Sequence, residues 1–158
     1  MNEKALQKIK QYCAYQERCH AEVKDKLYGM GLHRQEVDDI MAELITENFL
    51  NEERFAKAFA GGKFRVKQWG RKKIIGALKQ KQVSEYCIRK AMEEIPEDAY
   101  EGTIKKLAEK KYNSLKGEQW LRRIFKTRQY LLARGFEAGQ IGEILKTLTA
   151  KEDQESQH

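Results

Sequence analysis

Apolar residues recur along the chain at the three- and four-residue spacing that marks one face of an α-helix. Val37, Ile40 and Leu44 have this spacing, and sets beginning at Ile88 and Ile141 repeat it. No segment carries a convincing two-residue alternation of the kind expected for a half-buried strand. The pattern therefore predicts an all-α protein.

The helical pattern is copied three times with a period near 50 residues. Each copy has five apolar positions, and successive copies are offset by 51 and then by 53 residues. Such a period is typical of repeat proteins, whose units bury their apolar faces against their neighbours. The positions are Leu27, Leu32, Val37, Ile40 and Leu44, then Leu78, Val83, Ile88, Ala91 and Ile95, then Leu131, Phe136, Ile141, Ile144 and Leu148.

Each copy spans two helices joined by a tight turn, and a further amphipathic helix precedes each pair. Glycines mark the first and third turns, because glycine tolerates positive φ after a helix end, and Ser84 is the expected N-cap in the second copy. The helix pairs are expected at 21–29 and 35–47, 71–80 and 84–94, and 119–134 and 138–147. We predict three tandem three-helix repeats at 1–50, 51–95 and 96–150 that form an elongated, curved rod, with a disordered tail at 151–158.

Charged residues interrupt every part of the chain. The longest stretch without Asp, Glu, Lys or Arg is 27–33, whereas a membrane-spanning helix needs about 20 apolar residues. The first ten residues lack the apolar core of a signal peptide. Three cysteines, an odd number outside metal-ligand spacing, indicate reduced thiols. We expect a cytoplasmic protein with no membrane segment.

Positive charge is concentrated in the middle of the sequence. The chain has 31 basic and 24 acidic residues, a net charge of +7. Residues 1–50 carry −2, residues 51–95 carry +7 and residues 96–158 carry +2. Residues 54–84 include ten basic side chains and no acidic one. This run favours a polyanion or an acidic protein groove as the partner; the alternative is a solvated helical face that aids solubility.

No arrangement of residues indicates catalysis or a bound metal. His20, His33 and His158 form no His-x-x-x-His pair, and no set of His, Cys and carboxylates has metal-ligand spacing. The chain also lacks a glycine-rich phosphate-binding motif. We therefore expect no enzyme activity, no cofactor and no metal, and we favour a binding function.

Two tryptophans and a tyrosine lie among basic residues. Trp69 precedes a glycine and three cations, Trp120 precedes two arginines, and Tyr130 follows a third. An aromatic ring among cations can stack on a nucleobase. It can equally act as a hydrophobic staple between two helices, which is the interpretation we favour for all three.

Two segments resemble motifs of the RecX family. Residues 50–56, Leu-Asn-Glu-Glu-Arg-Phe-Ala, are similar to the segment joining the first two units in that family. Residues 69–74, Trp-Gly-Arg-Lys-Lys-Ile, followed by Leu78, are similar to its second-unit motif of a glycine, a basic residue, an aliphatic residue and a leucine. The repeat extends the resemblance over residues 5–150. The chain departs from the family at Asn51, where Asp is usual, and at Gln82, where Gly is frequent.

The resemblance implies a regulator of the RecA recombinase. Such proteins bind the RecA filament on single-stranded DNA, lie along its groove and inhibit ATP hydrolysis, strand exchange and co-protease activity, which limits recombination and the SOS response. We expect a monomer whose cations contact the filament or its DNA, and the alternative is a helical-repeat protein that binds DNA directly in an architectural or transcriptional role. The expected contact residues are Arg65, Lys67, Arg71, Lys72, Lys73, Lys79 and Lys81, followed by Arg122, Arg123 and Arg128.

Overall fold

A computed structural model describes residues 1–156, and the side chains of residues 1–153. This part of the chain forms nine α-helices and no strand, which confirms the all-α prediction. None of these helices has the length and apolar composition needed to cross a membrane. The helices are α1 (Glu3–Tyr15), α2 (His20–Gly29), α3 (Arg34–Thr46), α4 (Glu52–Arg65), α5 (Arg71–Gln80), α6 (Glu85–Met92), α7 (Glu97–Ser114), α8 (Trp120–Ala133) and α9 (Ala138–Ser156).

Local signals in the sequence place most helix boundaries within two residues. Helix α5 occupies the expected residues 71–80. Ser84 is the N-cap of α6, as predicted, and its hydroxyl accepts a hydrogen bond from the Cys87 N–H at 3.2 Å. Pro96 is the N-cap of α7 with φ −63°, a position where the missing amide donor of proline costs nothing.

The end of the chain differs from the expected disordered tail. Helix α9 continues past residue 147 to Ser156. Within this extension, the Glu152 carboxylate accepts hydrogen bonds from Arg123, at 3.0 Å, and from the Tyr112 hydroxyl. These polar contacts anchor residues 151–156, which include no apolar residue, and hydropathy alone therefore did not indicate their order. Residues 157 and 158, including His158, lie outside the described part of the chain.

The repeat is visible in the backbone at the turn between the second and third helices of each copy. Gly31, Gln82 and Gly135 occupy equivalent positions, and all three have positive φ, of 86°, 62° and 93°. In the second and third copies, the next residue closes the helix by donating its N–H to a carbonyl five residues earlier, from Val83 at 3.1 Å and from Phe136 at 3.2 Å. Gln82 thus adopts the left-handed conformation that glycine supplies in the other copies.

The residues pack as two compact units, a division of the chain that is distinct from its sequence repeats. Unit 1 comprises residues 1–62 and 76–94, and unit 2 comprises residues 63–75 and the chain from Ile95 onward. The second repeat therefore contributes to both units, and the division falls within α4 and within α5.

Unit 1 has a core cluster built from the three helices of the first repeat. Leu27, Val37, Ile40 and Leu44, four of the predicted apolar positions, are fully buried, and Ile9 of α1 joins the same cluster. The burial of these positions confirms the helical periodicity from which the fold class was predicted.

Unit 2 has its core between α7, α8 and α9, which pack on one another. Tyr100 lies at its centre, with its ring 5.9 Å from that of Phe64 and 5.4 Å from that of Phe136. The third apolar set is only partly right: Leu131, Phe136 and Ile141 are buried, as predicted. Ile144 and Leu148 are half-buried, and Leu145 is the buried residue of this turn.

Candidate partner-binding surface

The loop between α4 and α5 carries the basic residues singled out in the sequence, and backbone hydrogen bonds hold it in place. Helix α4 closes with a hydrogen bond from the Trp69 N–H to the Lys63 carbonyl oxygen at 3.1 Å. The loop is then tied to the turn before α9, because the Gly70 N–H donates to the Arg134 carbonyl oxygen at 2.7 Å. The Arg134 guanidinium also donates a hydrogen bond to the Lys67 carbonyl oxygen at 2.9 Å. The loop is therefore a fixed platform within unit 2.

Two glycines make this approach possible. A Cβ atom on Gly70 would lie 2.3 Å from the Gly135 carbonyl carbon, and one on Gly135 would lie 2.4 Å from the Lys73 Cβ. Both distances are far inside van der Waals contact. The structure therefore explains the glycine of the Trp-Gly-Arg motif that marks the family resemblance. The backbone of the turn between α8 and α9 lies so close to Gly70 that a side chain there would not fit.

Arg71, expected on the surface, is instead a structural residue of unit 2. Its guanidinium stacks 3.9 Å from the centre of the Tyr100 ring and donates to the Glu97 carboxylate at 2.8 Å. Its N–H donates to the Tyr100 hydroxyl at 2.9 Å, and that hydroxyl donates to Glu137 at 2.8 Å. Burial, together with the bond to Glu137, raises the pKa of Tyr100 above its ordinary value, so the phenol stays protonated.

Arg123 is also placed differently from our expectation, because its side chain is buried. The guanidinium donates twice to the Tyr112 carbonyl oxygen, at 3.0 and 3.3 Å, and pairs with Glu152 at 3.0 Å. It also lies 3.8 Å from the centre of the Tyr112 ring. Burial, followed by the hydrogen bond to Glu152, raises the pKa of Tyr112 to about 12. Arg123 therefore ties α8 to α7 and α9.

Four other expected residues form an exposed basic surface around the fixed loop. We call them the loop cations: Arg65, Lys67, Lys72 and Lys73. The side chains of the first three have no ion-pair or hydrogen-bond partner among the described residues. The Lys73 ammonium lies 4.6 Å from the centre of the Trp69 ring, and Lys63 lies 4.9 Å from the same ring. Trp69 thus packs against two lysine ammonium groups, a contact that the staple interpretation did not anticipate.

Lys79 and Lys81 belong to unit 1, whereas the loop cations belong to unit 2. Lys79 is exposed. Lys81 is half-buried, with its ammonium 3.6 Å from the Glu22 carboxylate and 5.9 Å from the centre of the Phe59 ring. The Glu22 carboxylate offsets part of the positive charge of Lys81.

Arg122 and Arg128 are exposed on α8, as expected for residues available to a partner. Neither forms a hydrogen bond or an ion pair within the described part of the chain, and Glu118 lies near enough for the charge of Arg122 to act on it. Helix α8 contains no acidic residue that could neutralise them.

The sequence analysis missed a basic cavity in unit 2. It has a volume of about 230 Å³ and is lined by Gln68, Leu107, Lys110, Lys111, Ser114, Tyr130 and Arg134. The Lys111 ammonium lies 5.3 Å and the Arg134 guanidinium 5.0 Å from the centre of the Tyr130 ring. The adjacent lysines 110 and 111 were visible in the sequence, but their proximity to Arg134 depends on the packing of α7 against α8.

Folding concentrates positive charge more sharply than the sequence does. Unit 2 contains 18 basic and 10 acidic residues, net +8, whereas unit 1 contains 13 basic and 14 acidic residues, net −1. The two segments of unit 2, residues 63–75 and 95–158, are separate in sequence and each has an excess of cations. Their association in one unit makes that unit the basic one.

The described side chains include no group of three or more His, Cys, Asp or Glu residues that could hold a metal ion. Cys13, Cys19 and Cys87 are buried and unbridged. Burial raises the pKa of Cys13, and it raises that of Cys19 to about 11, so both thiols are held in their unreactive neutral form.

Two family models match the chain. One is described as RecX, second three-helix domain, and matches residues 51–92. The other is described as RecX, third three-helix domain, and matches residues 99–145. Together they cover more than half of the chain.

Curated relatives carry the name regulatory protein RecX. The protein from Prosthecochloris aestuarii is 31% identical over 147 residues, which cover 92% of this chain and 93% of the relative. The protein from Oceanobacillus iheyensis is 26% identical, with 90% and 52% covered. That from Clostridium perfringens strain 13 is 32% identical, with 83% and 62% covered. The chain thus spans about half to three fifths of the length of the last two.

Solved structures agree with the fold. The crystal structure of RecX from Lactobacillus salivarius matches with a TM-score of 0.86 at 24% identity, covering 94% of this chain and 96% of that one. A second crystal structure, of regulatory protein RecX, matches with a TM-score of 0.82 at 23% identity, with 92% and 72% covered.

Proposed function

The chain belongs to the RecX family of regulatory proteins, and we propose on this basis that it binds the RecA filament formed on single-stranded DNA. Binding would inhibit ATP hydrolysis, strand exchange and co-protease activity, and would thereby limit recombination, repair and the SOS response. The protein would act in the cytoplasm, as a monomer and without catalysis of its own.

The single observation that supports this proposal most directly is the exposed set of loop cations. Side chains of one sign on a rigid loop present a surface that an acidic protein groove or a phosphate backbone can bind without prior reorganisation. The loop is held by the hydrogen bonds of Gly70 and Arg134. The entropic cost of ordering it is therefore already met in the free protein.

Two of the loop cations, Lys72 and Lys73, lie where a cation is unfavourable for helix stability, which supports a role in binding. Arg71, Lys72 and Lys73 form the first turn of α5, and that turn contains no acidic residue. Cations at a helix N-terminus oppose the helix dipole, at a cost of a few tenths of a kcal/mol each. Arg71 is offset by Glu97, but the other two are not. An anionic partner would remove the cost.

A titration of RecA tests the proposal. Single-strand-dependent ATP hydrolysis by RecA would be measured at increasing concentrations of this protein, at low and at physiological salt. We expect inhibition at nanomolar to micromolar concentrations that weakens as salt is raised, because contacts to phosphates release counterions and contacts to carboxylates are screened. A folded sample that leaves the rate unchanged across this range would refute the proposal.

Direct DNA binding is a second candidate, favoured by an aromatic ring that lies among cations. Tyr130 lines the basic cavity beside Lys111 and Arg134. Such an arrangement can accept a stacked base next to its phosphate. Two results together would favour this function over filament binding. The protein would bind DNA at physiological salt without RecA, and a binding selection would show a marked sequence preference.

A further inference from the structure

Helix α8 has an inverted distribution of polar and apolar residues. Its buried positions are Arg123, Thr127 and Leu131, so two of the three are polar. On the opposite side, Leu121 is 70% exposed, Phe125 58% and Leu132 37%. We call these three residues the α8 stripe. A surface helix normally places its apolar residues toward the core, and α8 does the reverse along much of its length.

The residues of the α8 stripe share one side of the helix. Leu121 and Phe125 are four residues apart, and Leu132 follows seven residues later, so all three lie within a narrow sector at 100° per residue. Trp120, at the first position of the helix, is 52% exposed but lies on the side of Thr127 and is not part of the stripe. The staple interpretation of Trp120 does not account for this exposure. Contiguous exposed apolar residues with a polar rim are typical of interaction sites.

The buried side of α8 explains why the stripe is not turned inward. Arg123 is fixed by Tyr112 and Glu152, and rotating the helix to bury Phe125 would break those hydrogen bonds. The exposed orientation is therefore enforced by a specific polar anchor.

The rim of the stripe defines the chemistry of its partner. Arg122 lies on one side and Arg128 on the other, both exposed, and neither is paired with a described residue. Lys126, next to Arg122 on the helix surface, is neutralised by Glu118 at 2.6 Å. Two arginines flanking an apolar stripe complement an amphipathic helix whose apolar face is bordered by carboxylates.

The geometry points to the α8 stripe as a docking site for an acidic amphipathic helix of a protein partner. The apolar side chains of the partner helix would cover Leu121, Phe125 and Leu132. Its carboxylates would pair with Arg122 and Arg128. This inference goes beyond the proposed function, since it involves neither the loop cations nor nucleic acid. It holds whichever polyanion those cations bind.

The test uses a labelled synthetic peptide of about 18 residues, long enough for helix formation on binding. It carries leucines at helical spacing and glutamates on both sides of them. Fluorescence anisotropy should show micromolar binding to the wild-type protein and about tenfold weaker binding to Leu121→Ser/Phe125→Ser. The matched control, Ile45→Ser/Tyr86→Ser, removes two exposed apolar side chains from unit 1 and should bind as wild type. Arg122→Glu/Arg128→Glu should also weaken binding.

Four results would overturn the inference. The first is equal binding of a scrambled peptide with the same composition, and the second is full binding by Leu121→Ser/Phe125→Ser with an unchanged circular dichroism melt. In the third, phosphatidylglycerol vesicles bind through the stripe and the peptide does not. In the fourth, sedimentation shows a dimer that the Leu121→Ser/Phe125→Ser variant abolishes, which would make a second copy the occupant. RecA inhibition enters none of these measurements, so the inference and the proposed function can fail separately.

Discussion

Gly70 and Gly135 meet backbone to backbone, with the Gly70 N–H 2.7 Å from the carbonyl oxygen of the residue before Gly135. The contact joins the start of α5 to the turn between α8 and α9. It fixes the loop cations in place and leaves no room for a side chain on either residue. The local geometry of the candidate binding surface thus depends on two positions that have no side chain.

Gly135→Ala should strongly destabilise the protein. The new Cβ would overlap the Lys73 Cβ, and the positive φ of 93° would be strained for alanine. Left-handed strain alone costs about 1–2 kcal/mol, and the overlap with rigid backbone adds to it. We expect a loss of about 3 kcal/mol in the free energy of unfolding, measured by urea denaturation.

Gly142→Ala is the matched control for that variant. Gly142 lies inside α9, and nothing is within 4 Å of the position that its Cβ would take. Replacing an interior helical glycine by alanine stabilises by about 0.5–1 kcal/mol. If both glycine variants changed stability equally, the close approach of the two turns would not matter energetically.

Gln82→Gly should stabilise the protein, because Gln82 has the positive φ that the first and third repeats assign to glycine. Relief of left-handed strain is expected to give about 1 kcal/mol. The measurement is the urea concentration at the midpoint of unfolding, compared between proteins whose free energy of unfolding has the same slope against urea concentration. Gln129→Gly, at an exposed interior position of α8, is the comparison and should cost about 1 kcal/mol. A stability loss in Gln82→Gly would contradict the assignment of strain to this turn.

Arg123→Met should lower stability by about 2 kcal/mol. It removes two charge-assisted hydrogen bonds to the Tyr112 carbonyl oxygen, which then keeps only the Leu115 N–H, at 3.2 Å, as a described donor. The ion pair with Glu152 adds little, since Glu152 is partly exposed and retains solvent. Arg122→Met, at the adjacent exposed position, should change stability by less than about 0.5 kcal/mol. Thermal unfolding of the two variants would distinguish a buried anchor from a surface charge.

Lys72→Glu/Lys73→Glu should abolish inhibition of the RecA ATPase while leaving the fold intact. Because these substitutions place acids in the first turn of α5, we expect the free energy of unfolding to rise by a few tenths of a kcal/mol. Loss of activity with equal or greater stability would separate binding from folding. Lys4→Glu/Lys8→Glu makes the same charge change on exposed positions of α1 and should inhibit as wild type. Full inhibition by the α5 variant would identify the loop cations as a solubilising surface.

Features set by neighbours in sequence were predictable. The spacing of Val37, Ile40 and Leu44 identifies a buried helix face, and the residue type of Ser84 identifies an N-cap. Both depend on a few consecutive residues, whose geometry is fixed once a helix forms. The family resemblance was likewise carried by two short segments.

Features set by residues far apart in sequence were not predictable. Arg71 and Lys72 are adjacent and chemically similar, yet only Arg71 finds a ring and a carboxylate, on α7, about 26–29 residues later. Arg122 and Arg123 differ in the same way because of Glu152. Leu145, and not Ile144, is buried because of how α9 is rotated about its axis against α7 and α8. Periodicity alone does not fix that rotation to better than one residue.

The sequence by itself determined that this chain is helical, repeated and rich in cations, because these properties follow from residue type and local spacing. Only the tertiary structure decided which cations are exposed and which are anchors, and that the basic residues of two distant segments belong to one unit. The physical reason is that the exposure and pairing of a charge depend on the groups that packing brings beside it, and those groups are distant in sequence.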